Sequence, residues 1–289
     1  MRIRATVAAL SGALALSALA VPAAQAGDQA VPSLDKPSAA DVFGTGAAKA
    51  GRSVARAAVA EPVISKVVVN GGKDVVVGTT NAKTFTVSVT ASHPTGIVDG
   101  YIDLWHGTDV EDGLDGVLLP NEEAASCKNS SATTATCSMT ITAYPGYDLY
   151  KNLLAGTWKV TAGALAGDLT SVAWNDYQAT ARVQRLSKLT VNAAPEPVKK
   201  GATITATGKL SRANWENGTY MGYTVQPVKL QFRKKASSTY TTVKTINTNS
   251  TGALKTTVKA VEDGYWRYSF AGTSTTPAVT TAGDFVDVK

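Results

Sequence analysis

The chain has 289 residues, 44% of them hydrophobic and 17% charged, with a formal net charge of +6, two Cys and two His. That length suits two domains of ordinary size after an exported leader is removed. So few Cys and His exclude a dense disulfide scaffold and a zinc cluster of the structural type.

Residues 1–26 read as a signal peptide. Arg2 and Arg4 form a positive start, Ala5 to Ala20 is apolar and uncharged, Pro22 breaks the run, and Ala24-Gln25-Ala26 offers small residues for cleavage. The apolar run is Ala-rich and shorter than the ~20 residues that a spanning helix needs. The expected product is secreted and extracellular, with no membrane association after cleavage. Residues 27–60 read as a flexible Ala-rich leader, because they lack the large apolar residues that offset ordering entropy. Ala47 to Ala60 is expected to form at most a transient helix.

From Glu61 the texture becomes β. Val63 to Val69 is a β-branched run, Asn70-Gly71-Gly72 is a turn, and Val75 to Val77 follows. Lys83 to Thr90 alternates apolar and polar residues, which is the half-buried strand signal. Ile97 to Leu104, Thr136 to Thr142, Thr157 to Ala162 and Tyr177 to Val183 continue the pattern. One helical insertion is expected at Asp148 to Leu154, with Asp148 as its N-cap and Gly156 as its stop. In the second half, strands are expected at Lys188 to Asn192, Ala202 to Leu210, Val228 to Arg233, Tyr240 to Asn247, Ala253 to Ala260, Gly264 to Ala271 and Phe285 to Val288. The fold class is therefore all-β, with two consecutive Ig-like β-sandwich domains at 61–186 and 187–289. The boundary near Leu186-Ser187 leaves almost no linker, so the two are expected to pack end to end.

Charge divides along the same line. Residues 61–186 carry 8 Lys+Arg against 13 Asp+Glu, a net of −5, and residues 187–289 carry 14 against 6, a net of +8. Opposed charges favour either mutual docking or separate partners.

The runs PVISKVVVNGGKDVVVG, YIDLWHGTD and LYKNLLAGTWKV resemble the first domain of secreted two-domain proteins of actinobacterial type. The stretch from Val228 to Val279 resembles a bacterial Ig-like module found at the C-terminal ends of such proteins. The resemblance implies secretion and a β-sandwich, and brings no catalytic residues with it.

Several groups are candidates for chemistry. Cys127 and Cys137 are expected to form one disulfide, the default for two Cys in an exported chain. Asp109, Glu111, Asp112 and Asp115 lie in a Gly-rich segment and are candidate Ca²⁺ ligands, though the spacing is not that of an EF-hand. A solvated turn between strands explains the same residues. Asp103 could join them only if it points to the same end. His106 could pair with Asp103 or Asp109, but no G-x-S-x-G elbow supplies a nucleophile. Trp215, Tyr220 and Tyr223 offer a ligand platform for sugars or a protein, against the reading that they cap the core. Trp158, Trp266 and Tyr268 read as core. Arg233, Lys234 and Lys235 form a basic patch for an anionic partner. Expected partners are an anionic cell-wall polymer, a polysaccharide or another extracellular protein; no nucleic-acid signature is present. The reading is a non-enzymatic binding or structural protein of the cell envelope or extracellular matrix. The alternative is a secreted hydrolase or enzyme inhibitor acting through the acidic loop.

Overall fold

Alternating Val, Phe and Thr residues build the first sandwich from nine strands. These are β1 (Val63–Val69), β2 (Val75–Val77), β3 (Lys83–Ser92), β4 (Ile97–Gly107), β5 (Leu114–Leu118), β6 (Ser126–Asn129), β7 (Thr134–Ala143), β8 (Gly156–Ala166) and β9 (Val172–Arg185). The computed structural model describes residues 34–44 and 60–289. The signal-peptide reading falls outside those residues, as does nearly all of the helix expected from Ala47.

One sheet runs β1-β3-β7-β6 and the facing sheet β2-β9-β8-β4-β5. β3 and β7 pair over ten residues, from Lys83↔Ala143 to Ser92↔Thr134. Phe85, Val87, Val89 and Ala91 point into the core with Ala135, Cys137, Met139 and Ile141. Outside, Thr84 pairs its hydroxyl with Thr142 at 2.9 Å and Thr90 with Thr136 at 2.8 Å. Cross-strand Thr pairs of this kind favour the register. The pairing of β2 with β9 is parallel.

The second sandwich follows at once. Its strands are β10 (Ser187–Leu189), β11 (Asn192–Ala194), β12 (Thr203–Asn214), β13 (Thr219–Gly222), β14 (Pro227–Lys234), β15 (Thr241–Asn247), β16 (Ala253–Lys259), β17 (Gly264–Phe270), β18 (Val279–Thr280) and β19 (Asp284–Val286). β12 pairs with β10, β11, β13 and β16; the opposite sheet runs β15-β14-β17-β18, with β19 also on β17. Trp266, Tyr268 and Phe270 fill this core with Ile204, Leu230 and Val286.

The described residues pack as one compact unit, and the long β12 shows why. Its first half lies on β16 in the second sandwich. Its end carries Ala213 and Trp215 into the core of the first. Side chains also cross the junction: the Arg185 Nε donates to Ala213 O, and Gln184 Nε2 to Thr273 O at 3.0 Å.

Two sequence expectations are corrected here. The segment Asp148 to Leu154 is not a helix with Asp148 as its cap. Only Asn152–Leu154 forms a 3-10 turn, and the Asp148 carboxylate instead accepts from Tyr144 N at 2.8 Å. The short-range bond to the preceding turn wins over a helix too short to stabilise itself. The leader is not uniformly flexible either. Residues 34–44 lie against the first sandwich, with a five-residue helix α1 (Ala39–Phe43) opened by a capping box between Ser38 and Asp41.

The turn joining β8 to β9 makes a pH prediction. Asp168 accepts from Ser171 Oγ at 2.7 Å, Ser171 N at 2.8 Å and Thr170 N at 2.9 Å. These bonds, the Ser171 hydroxyl first, hold its carboxyl well below the usual range. Its contribution is therefore present above about pH 4, the unfolded value, and is lost as pH falls through the lower native value. Asp168→Asn should flatten this part of the acid limb in melts taken between about pH 4 and 2.

Candidate binding face

The outer face of the sheet β14-β15-β17-β19 is built from the residues that the core does not use. Along β17, Trp266, Tyr268 and Phe270 turn inward, so Tyr265, Arg267 and Ser269 turn outward. Along β14, Val228 and Leu230 turn inward, leaving Gln231 and Arg233 outside. The antiparallel register sets Gln231 opposite Arg267 and Arg233 opposite Tyr265.

The result is a column in which cations alternate with rings. Arg267 lies 3.7 Å from the centre of the Tyr240 ring, and Arg233 lies 5.4 Å from that ring and 3.8 Å from Tyr265. Tyr265 meets Phe285 at 5.1 Å between centroids, and Lys235 lies 5.3 Å from Phe285. Gly283 makes room for it, since a Cβ there would come within 2.1 Å of the Tyr240 hydroxyl. Ring contacts hold the guanidinium planes and leave their N–H edges as donors. Arg267 Nε donates to Gln231 Oε1 and Arg233 Nη1 to Ser237 O, both at 2.8 Å. Each fork has five N–H donors, so most remain for an oxygen-rich anion.

On the opposite sheet, β16 turns Lys255 and Lys259 outward, paired with Thr207 and Thr203 of β12. Lys209 of β12 is exposed as well. Both broad faces of the second sandwich therefore carry cations.

The structure rearranges the basic patch expected at Arg233, Lys234 and Lys235. Lys234 pairs with Glu262 at 3.0 Å and Lys235 with Asp263 at 3.4 Å. Their charges are partly met within the protein, whereas Arg233 shares its face with Arg267. Sequence reasoning missed Arg267, Tyr240 and Tyr265. The alternation of Tyr265, Arg267 and Ser269 against Trp266, Tyr268 and Phe270 is the signal that could have found two of them.

The aromatic platform expected at Trp215, Tyr220 and Tyr223 does not form. Trp215 is 1% exposed and belongs to the first core, with Tyr220 packed against it. Tyr223 packs on the second core and carries Arg212 3.9 Å from its ring centre. A large apolar ring at the end of β12 gains more from the neighbouring core than from solvent.

The acidic loop is the hairpin between β4 and β5. Asp109 Oδ1 accepts from Glu111 N at 2.8 Å, and Asp115 Oδ1 meets His106 Nδ1 at 2.5 Å. Among the described residues, no three His, Cys, Asp or Glu side chains gather as metal ligands. Asp109, Glu111, Asp112 and Asp115 are thus spread along the hairpin and not converged on a Ca²⁺ position. Asp103 lies on the outer sheet face, away from them, and His106 pairs with Asp115, not with Asp103 or Asp109. His93 is buried, with its Nε2 2.7 Å from Ala60 O. The expected disulfide is present: Cys127 and Cys137 are directly opposite on β6 and β7.

No protein-family model matches the chain, and no curated protein matches it. Among solved structures, a chimeric titin Z1Z2-Z1Z2 tandem is 16% identical, covering 79% of this chain and 99% of that one, with a TM-score of 0.28. Fibronectin(III)-like modules of Clostridium thermocellum CbhA are 11% identical, covering 77% and 93%, with a TM-score of 0.31. The Yersinia pseudotuberculosis adhesin InvE is 14% identical, covering 77% and 60%, with a TM-score of 0.25. Likeness this loose transfers no ligand and no residue role. The chain is all-β and made of Ig-like sandwiches.

Proposed function

We propose that this is an exported, non-enzymatic binding protein whose second sandwich holds it to an anionic polymer of the cell envelope. The observation that carries the reading is the Arg233–Arg267 column, in which rings pre-orient two half-buried guanidinium groups on the outer face of one sheet. Ordered donors lose less freedom on binding than lysines swinging in solvent. The net charge of +8 on residues 187–289 adds a long-range attraction that salt screens over about 8 Å at physiological ionic strength.

Co-sedimentation of the full chain with isolated Gram-positive walls tests the reading. Binding is expected at low salt, and Arg233→Gln/Arg267→Gln should weaken it by about tenfold or more, as loss of two charge-assisted contacts implies. Lys234→Gln/Lys235→Gln should have the smaller effect, because Glu262 and Asp263 already hold those ammonium groups. Equal retention of all three proteins would remove the column from the account.

A further inference from the structure

β4 is buried on both sides from Tyr101 to Trp105. Ile102 and Leu104 face the sandwich core. Tyr101, Asp103 and Trp105 face outward, yet Asp103 and Trp105 are 0% exposed and Tyr101 5%. The segment 34–44 brings the cover. Lys36 places its ammonium 3.5 Å from Asp103 Oδ2 and against Asp176 Oδ1, with its side chain only 3% exposed. The same ammonium lies 5.2 Å from the centre of the Trp174 ring. Trp174 stacks on Tyr101 at 5.2 Å and takes the edge of Phe43 at 6.1 Å.

The surrounding groups are arranged for a cation. Trp174 Nε1 donates to Asp176 Oδ1 at 3.1 Å, and Trp105 Nε1 donates to Asp176 O at 2.8 Å, which fixes the carboxylate and its backbone. Neither Asp103 oxygen, nor the Tyr101 hydroxyl, makes a hydrogen bond of ordinary geometry. Burial pushes the Asp103 carboxyl up to about 6, against the pull of Lys36. A buried carboxylate left without its cation is costly. Gly163 completes the seat: a Cβ there would lie 2.6 Å from the Trp174 ring and 2.9 Å from that of Phe43.

The cover is a short segment. α1 has no buried residue, and a helix of five residues does not stand alone. Lys36 and Phe43 are the arm's contacts with the acidic and aromatic groups of this face.

We propose that the outer face of β4, β8 and β9 is a receptor site for a lysine side chain presented by a peptide, and that the segment 34–44 is its resident ligand. The ligand chemistry is a primary alkylammonium received by two carboxylates and an indole face, with an aromatic residue seven positions later seated over Gly163. The arm closes the site in cis and leaves it by detaching, not by unfolding the sandwich.

The test uses the full chain carrying Lys36→Ala/Phe43→Ala and a fluorescent synthetic peptide spanning residues 34–44. The peptide should bind the variant saturably. Acetylating its lysine should weaken binding at least tenfold, because the ammonium is what the carboxylates receive. An unrelated lysine peptide lacking the aromatic residue, and n-butylammonium alone, should bind more weakly still. No binding of the peptide, or equal binding of its acetylated form, overturns the proposal. Should the variant fold poorly, amide exchange in the wild-type chain decides. Val42 N and Gly44 N, bonded to Ser38 O and Ala40 O, should exchange faster when excess unlabelled peptide displaces the arm. Exchange unchanged by the peptide would contradict the site.

Discussion

Trp215→Ala is expected to destabilise the first sandwich, although Trp215 follows a strand of the second. The ring is 1% exposed among first-core residues. Truncating a buried Trp typically costs about 3–5 kcal/mol. For a unit of this size that is a fall in melting temperature of roughly 6–20 °C. The cost includes more than the ring. Trp215 N bonds Asn152 Oδ1 at 3.0 Å, and Asn152 Nδ2 donates to Asn214 Oδ1 at 2.8 Å, so the end of β12 is tied to the first sandwich by polar contacts as well. The indole N–H is buried without a partner, which predicts that Trp215→Phe loses much less than Trp215→Ala. Phe removes that unsatisfied donor while retaining most of the apolar contact. Urea melts followed by near-UV circular dichroism measure both variants. A loss under about 1 kcal/mol for Trp215→Ala would mean that the ring does not join the two sandwiches.

The disulfide is the second large effect. Cys127 and Cys137 are 10 residues apart in sequence, and closing such a loop stabilises by about 3 kcal/mol in the chain-entropy model. Cys137 is 0% exposed, in the core face of β7. Cys127→Ala/Cys137→Ala should lose about that amount, and Cys137→Ser should lose more than Cys137→Ala, because a hydroxyl would be buried in an apolar site. Thiol titration of the denatured, unreduced protein should find no free thiol. Two free thiols would contradict the pairing.

These residues show where the chain was readable and where it was not. Strands with a period of two, such as Lys83 to Thr90 and Gly264 to Ala271, were legible because alternation is a local property. Short edge strands were not: Leu114–Leu118, Ser126–Asn129 and Thr219–Gly222 are set by a partner strand and have little pattern of their own. Trp215 was misread because its burial depends on the end of β12 reaching a second core, which no local pattern encodes. Arg233 was visible as part of a basic run, but its stacking on Tyr265 follows from the β14–β17 register. Lys36 was hidden for the same reason. Its partners Asp103 and Asp176 lie far along the chain, and the Ala-rich segment around it reads as disordered by composition alone.

Binding of a polyanion by the ordered cations of the second sandwich is the expected behaviour. It is tested most directly by titrating the full chain with a defined polyphosphate-type polymer across a series of salt concentrations. For wild type, the logarithm of the association constant should fall linearly as the logarithm of salt concentration rises, because bound cations release counterions from the polymer. In Arg233→Gln/Arg267→Gln the line should lie lower and its slope should be shallower by an amount corresponding to the lost contacts. Binding that is indifferent to salt, or a slope left unchanged by the double substitution, would contradict the claim.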